Sequence, residues 1–264
     1  IGLIATPIRH SKSPMMHNTA FEALGLDYAY LAFDFPPERL EDAVKGLKAL
    51  GAKGWNVSMP YKADIIPLLD EISEVSRLCN SVNTVINRDG RLYGTVTDGT
   101  GYMRSLADRG FDVKGKKMTV LGCGGAATAI CIQAALDGVR EISIFNANDA
   151  FFHRAEENAE KINANTGCVA HAYPLEDKAR LRAEIADSAL LANATSVGMG
   201  KLEGISLIDD ASMLRPELIC TDVIYSPEET AFLKLARQAG CPTMNGLGMV
   251  LFQGAESFRL WTGM

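Results

Sequence analysis

Two residues have the side chains needed for proton chemistry at a carbonyl oxygen, Lys62 and Asp98. Lys62 closes the block Asn56-Val57-Ser58-Met59-Pro60-Tyr61-Lys62, and Asp98 sits within Thr97-Asp98-Gly99. Reducing a ketone requires a hydride on carbon and a proton on oxygen. An ammonium group polarises and protonates that oxygen, and a carboxylate holds the ammonium in place. Small polar residues gather in the same half of the chain, in Ser11-Lys12-Ser13-Pro14 and Ser81-Val82-Asn83-Thr84. Serine, asparagine, lysine and aspartate together make a hydrogen-bonding cup for a ligand rich in hydroxyls. The same lysine and aspartate also read as solvated charges or half of a weak ion pair, and residue type alone does not choose.

A second chemistry belongs to Gly122-Cys123-Gly124-Gly125-Ala126-Ala127. One glycine permits a tight turn, another lets backbone amides approach a pyrophosphate, and small residues let a helix pack on a sheet. A helix N-terminus adds free N–H groups and partial positive charge. Glycines also make ordinary turns, but the order strand, glycines, helix, strand points to dinucleotide binding. The following strand ends at Asn146, where a dinucleotide's adenosine ribose is met. The stretch Asn146-Ala147-Asn148-Asp149-Ala150 holds no cation before Arg154, and Asp149 would repel a 2′-phosphate. That charge logic favours NAD over NADP, with NADP possible. Asp149 also suits the cap of the next helix.

The elements that must position these residues follow from periodicity. Short apolar runs read as buried strands at 1–5, 28–33, 54–58, 84–87, 118–121, 141–145, 169–173, 189–193 and 218–223. Helix-period segments separate them, including 15–24, 37–50, 63–69, 100–109, 126–136 and 228–239. A polar loop is expected over 7–14, and Arg88-Asp89-Gly90 reads as a hairpin turn. Alternating strands and helices predict an α/β fold with largely parallel sheets. The order predicts an N-terminal α/β domain over 1–103, followed by a Rossmann-like doubly wound dinucleotide-binding domain over 104–245.

Composition narrows the partners. The 264 residues are 47% hydrophobic and 22% charged, with a net charge of −6, which suits a globular core. No basic stripe marks a nucleic-acid or membrane surface. No apolar run reaches the roughly 20 residues of a membrane span. Six scattered cysteines form no CxxC pair, and with four histidines they complete no metal spacing. A cytoplasmic protein is expected, as a monomer or homodimer, acting on a small molecule.

The chain resembles the shikimate dehydrogenase family along nearly its whole length. The resemblance rests on Ser11-Lys12-Ser13-Pro14, Asn56 to Lys62, Val82-Asn83-Thr84, Thr97-Asp98-Gly99, Gly122 to Ala126, Asn193-Ala194-Thr195-Ser196-Val197-Gly198-Met199, and Gln253-Gly254-Ala255 with Phe258, Trp261, Thr262 and Gly263. It implies two α/β domains with a cleft between them, and reversible reduction of 3-dehydroshikimate to shikimate. It implies that Ser11 and Ser13 hold the ring carboxylate, that Ser58, Asn83 and Gln253 hold ring hydroxyls, and that Lys62 and Asp98 form the catalytic pair. It places Tyr225 on the cleft. It lines the cofactor with Gly122, Gly124, Gly125, Ala126, Asn146 and Asp149, and its nicotinamide end with Thr195, Val223, Gly246 and Met249. It returns 246–264 to the first domain. Val96, Asn80 and Ser81 depart from the family's common residues near the ring pocket. The stretch from Asp149 through Phe152 looks more like the quinate/shikimate branch, so quinate is a second expected substrate. The alternatives are a paralogue acting on another hydroxylated or aminated cyclohexane carboxylate, or a non-catalytic regulatory binder on the same fold.

Overall fold

The computed structural model describes residues 1–8 and 11–264. Arg9 and His10, within the polar loop expected over 7–14, lie outside the described residues. The chain divides into two compact units, Ile1–Thr97 with Gln253–Met264, and Asp98–Phe252.

The first unit holds β1 (Gly2–Ala5), α1 (Ser13–Ala23), β2 (Leu31–Asp34), α2 (Leu40–Ala49), β3 (Gly54–Val57), β4 (Glu71–Ile72), α3 (Glu74–Cys79), β5 (Thr84–Arg88) and β6 (Arg91–Thr95). Its six-stranded sheet runs β2-β1-β3-β5-β6-β4. β1 is parallel to both β2 and β3, whereas β5 is antiparallel to β3 and β6. The β5–β6 hairpin turns at Asp89 and Gly90, both at positive φ, as the Arg88-Asp89-Gly90 reading expected. β1 is buried on both faces because alternate residues serve different cores. Ile4 joins Trp55, Val57, Tyr61 and Val85, while Leu3 and Ala5 join Phe21, Tyr30, Phe258 and Trp261.

Sequence periodicity suggested a helix over 63–69. The structure has only a single 3₁₀ turn, Ile66–Leu68, with Pro67 near its start. Asn80 closes α3 at φ 48, the left-handed position where asparagine replaces glycine at least cost. That conformation accounts for asparagine at this position.

The second unit holds α4 (Asp98–Asp108), β7 (Lys117–Leu121), α5 (Gly125–Leu136), β8 (Glu141–Asn146), α6 (His153–Asn165), β9 (Val169–Pro174), α7 (Lys178–Asp187), β10 (Leu190–Asn193), β11 (Ile219–Asp222), α8 (Ala231–Gln238), β12 (Thr243–Met244) and the start of α9 (Leu247–Thr262). Its six strands run β12-β11-β10-β7-β8-β9, all parallel. Strand order reverses between β7 and β10. That is the switch point where doubly wound sheets open a crevice at the strands' carboxyl ends.

The division at 97/98 and 252/253 differs from the expected 103/104 and 245/246. Glycines account for the difference. A Cβ on Gly99 would strike the backbone of Ala129, and one on Gly248 would come within 2.8 Å of Ser105, so α4 and the start of α9 seat closely within the second unit.

Candidate active site

In the first unit the antiparallel course of β5 does the gathering. Its first residues lie beside the ends of β3 and β6, so Asn83 meets the loops that follow those strands. The backbone of Asn83 accepts from the N–H of Val57 at 2.8 Å and donates to Thr95 at 3.1 Å. Its buried side chain is turned to Thr97. Asn83 Oδ1 accepts the Thr97 N–H at 2.9 Å, and Nδ2 donates to Thr97 Oγ1 at 3.0 Å. Asn83 thus fixes the residue immediately before Asp98. Asp98 opens α4, where a helix N-terminus favours its negative charge.

Ser58 continues β3 and donates its N–H to Ile4 at 2.9 Å. Tyr61 is fully buried and stacks on Phe35 at 5.1 Å, which anchors the residue before Lys62. The Lys62 carbonyl accepts from Val82 at 2.8 Å, so its backbone is pinned from both sides. Ser11 Oγ accepts the N–H of Ser13 at 3.3 Å, and Ser13 begins α1.

Beneath these residues lies a buried polar network with members that sequence reasoning missed. Tyr30 donates its hydroxyl to Asn56 Oδ1 at 2.6 Å. Burial pushes the Tyr30 phenol up, against a hydrogen bond with the Ser13 side chain. Asn56 Nδ2 donates to Thr84 Oγ1 and Ser257 Oγ, both at 3.1 Å. Ser257 Oγ donates to the Gln253 carbonyl at 3.1 Å, tying Gln253 to the same network. A serine on the apolar side of an otherwise amphipathic helix was the available signal. Val96 is 2% exposed, buried beside this network.

In the second unit Gly122, Gly124 and Gly125 follow β7 at the switch point. Gly122 takes φ 109, and a Cβ there would lie 2.9 Å from Thr195 Cγ2 and 3.0 Å from the Ala194 carbonyl. Gly124 and Gly125 are exposed, and a Cβ on either would meet nothing within 4 Å. No side chain caps α5 at Gly124. Open space above an uncapped helix N-terminus fits a pyrophosphate. Ala126 stands in the first turn of α5. Thr195 lies beside Gly122 across the strand-order reversal. Gly246 donates its N–H to Ile224 at 2.9 Å, and a Cβ on it would strike the Val223 carbonyl. Met249 is buried nearby on α9, and Tyr225 is 45% exposed. Thr195, Val223 and Gly246 thus stand on loops that follow β10, β11 and β12, with Met249 in the first turn of α9.

A buried carboxylate that the sequence reading passed over, Asp222, ends β11 at 1% exposure. It accepts from Asn193 Nδ2 on both oxygens at 3.1 Å, from the Ile224 N–H at 3.0 Å and from Thr230 Oγ1 at 2.8 Å. Burial pushes its carboxyl up, against the pull of those donors. An acidic residue closing an apolar strand was the missed signal.

Asn146 ends β8 and donates its side-chain N–H to Ala147 at 3.0 Å. Asp149 Oδ1 accepts the Phe151 N–H at 2.8 Å. Its carboxylate is committed to its own turn. Arg154 stands with its guanidinium 4.9 Å from the Phe151 ring centroid. Arg154 and Asp149 both act electrostatically on the Cys123 thiol in the glycine loop, although burial is what chiefly pushes that thiol up. A cation is therefore available beside the glycine loop. Among the described residues no His, Cys, Asp and Glu cluster could hold a metal, and no helix is long and apolar enough to cross a membrane.

A doubly wound parallel sheet with an open glycine turn at its switch point, joined to a second α/β unit, places the chain in the Rossmann-like class. The comparisons narrow that class. Residues 3–85 match the family described as shikimate dehydrogenase substrate binding domain. The chain is 58% identical over 262 residues to a shikimate dehydrogenase (NADP(+)) from Listeria monocytogenes, covering 99% of this chain and 90% of that relative. A shikimate dehydrogenase (NADP(+)) from Streptococcus uberis is 54% identical over 266 residues, covering 100% and 90%. The crystal structure of shikimate 5-dehydrogenase from Listeria monocytogenes, in complex with shikimate and NAD, superposes with a TM-score of 0.99 at 57% identity, covering 100% of this chain and 91% of that one. This chain belongs to the shikimate dehydrogenase family.

The expected preference for NAD over NADP is corrected by these relatives, since both curated ones are named for NADP(+). The charge argument weighed Asp149 as a charge repelling a 2′-phosphate and discounted Arg154 for its place further along the chain, although Arg154 stands on Phe151 beside the glycine loop. The structure gives the Asp149 carboxylate to the Phe151 amide.

Proposed function

We propose that the chain catalyses the reversible NADP-dependent oxidation of shikimate to 3-dehydroshikimate. The observation that carries this reading is the whole-chain match, at 54% identity or more, to relatives named for that activity. In this reading the first unit takes the ring acid and the second takes the dinucleotide. Ser11 and Ser13 hold the ring carboxylate. Ser58, Asn83 and Gln253 hold ring hydroxyls, and Tyr225 borders them. Lys62 and Asp98 exchange the proton at the reacting oxygen, the ammonium donating and the carboxylate orienting it.

Gly122, Gly124, Gly125 and Ala126 present the α5 N-terminus to the pyrophosphate, with Asn146 toward the adenosine ribose. Asp149 orders the turn that carries Arg154, and the Arg154 guanidinium would hold the 2′-phosphate. Thr195, Val223, Gly246 and Met249 set the nicotinamide end. The nicotinamide, when bound, gives or takes the hydride.

The test follows nicotinamide absorbance with shikimate and with quinate, each with NADP and with NAD. Shikimate with NADP is expected to give the highest kcat/KM, and Arg154→Ala should narrow the gap between the two dinucleotides. Quinate measures how much the ring pocket tolerates. Lys62→Ala should lower kcat about 10²–10⁴-fold while NADP binding is kept. Wild-type kcat in that variant, or no turnover of shikimate by a folded protein, defeats the proposal.

A further inference from the structure

Asp222 is expensive to keep. A carboxylate at 1% exposure whose partners among the described residues are Asn193, the Ile224 N–H and Thr230 draws its compensation from neutral donors. What it organises lies on both sides of it. Through Ile224 it fixes the backbone that follows β11, the same segment whose Ile224 carbonyl accepts from Gly246. Through Thr230, itself the cap of α8, it closes the loop from 223 to 229. Through Asn193 it reaches the loop after β10. Asn193 Nδ2, which it holds, also donates to the Val197 carbonyl at 3.0 Å. Asn193 Oδ1 then accepts from Thr195 Oγ1 at 2.7 Å and from the Thr195 N–H at 3.2 Å. Thr195 Oγ1 accepts the N–H of Val197 at 3.0 Å. Thr195 Cγ2 stands against Gly122 in the glycine loop. One anion therefore holds Thr195, Val223 and Gly246 in a single arrangement.

We propose that Asp222, acting through Asn193, is a positioning residue that shapes the nicotinamide end of the dinucleotide site. The inference rests on the reading that Thr195, Val223 and Gly246 line that end. Asp222→Asn keeps the shape but turns an N–H₂ group toward donors, so the carboxylate's hold on Asn193 or Thr230 is lost.

A general structural role would weaken every ligand alike, whereas a positioning role discriminates between two probes. NADPH carries both ends of the dinucleotide. 2′,5′-ADP carries only the adenosine end, with its 2′-phosphate. In Asp222→Asn, the Kd for NADPH should rise about tenfold or more and the bound nicotinamide fluorescence should fall. The Kd for 2′,5′-ADP should stay within about twofold of wild type. Asn193→Ala, which cuts the links to Asp222, Thr195 and the Val197 carbonyl but leaves the Asp222 bonds to Ile224 and Thr230, should give the same pattern if Asp222→Asn does not fold. Equal weakening of both probes, unchanged binding of both, or loss of the unfolding transition in both variants overturns the proposal. Failure of the wild-type protein to bind NADPH would instead defeat the function proposed above.

Discussion

His17 is a buried base on the apolar side of α1. Its ring is 2% exposed, stacks on Tyr30 at 4.5 Å, and leaves Nε2 without a hydrogen-bond partner among the described residues. Burial pushes its pKa down to about 4 from 6.5. The unfolded chain therefore binds a proton at a higher pH than the folded one. The neutral ring's contribution is complete above pH 6.5 and is lost as pH falls toward about 4. That lowering of the pKa corresponds to about 3 kcal/mol. Urea unfolding at pH 7 and at pH 4 should show wild type losing ~3 kcal/mol more than His17→Phe, which keeps the stack. Parallel losses would refute the assignment.

Legibility at this scale was uneven. Lys62 and Asp98 stood out by type, and the structure shows backbones that hold them. Asp149 misled because a carboxylate's sign is visible in sequence, while the amide it bonds is not. Ser257 and Tyr30 went unnoticed because their partners lie far along the chain, and Asp222 because its burial and its tie to Asn193 are set by strand pairing.

The glycine loop separates two roles that its sequence runs together. Gly122 needs its missing Cβ for the fold, since φ 109 and the close Thr195 and Ala194 atoms both oppose a side chain. Gly124 has φ −72 and free space, so alanine fits the fold there but intrudes where a pyrophosphate would lie. Gly122→Ala should lower unfolding stability by about 1–3 kcal/mol. Gly124→Ala should leave Tm near wild type yet raise the Kd for NADP about tenfold or more. Paired thermal melts and titrations check both; a Gly124→Ala protein with unchanged affinity would deny the loop its ligand. Strong periodicity makes most strands and long helices readable in the sequence. Two-residue β4 and β12 are too short to carry any period. The 63–69 segment has helix-like apolar spacing, but it is broken at Pro67.

Over the whole chain, α/β alternation predicted the parallel sheet of the second unit and missed how the first unit mixes directions. Nor could it say where α9 divides, because that depends on glycine contacts with residues far back in the sequence. The end of α9 is nonetheless integral to the first unit. Gly54 leaves room for the Trp261 indole, and Trp261 Nε1 donates to the Val85 carbonyl at 2.9 Å. Phe258 and Trp261 complete the core around Phe21 and Tyr30. Trp261→Ala should cost about 3–5 kcal/mol in denaturant unfolding, and a loss below ~1 kcal/mol would show that the helix end is dispensable. The same arrangement sets a timetable during synthesis. The first unit needs Gln253–Met264, which leave the ribosome only after all of Asp98–Phe252. At ~5–20 residues per second its opening strands wait roughly 8–30 s for their last helix, with apolar faces bare. The second unit has its complete sequence first, so the first unit's strands, made before it, are locked in place after it.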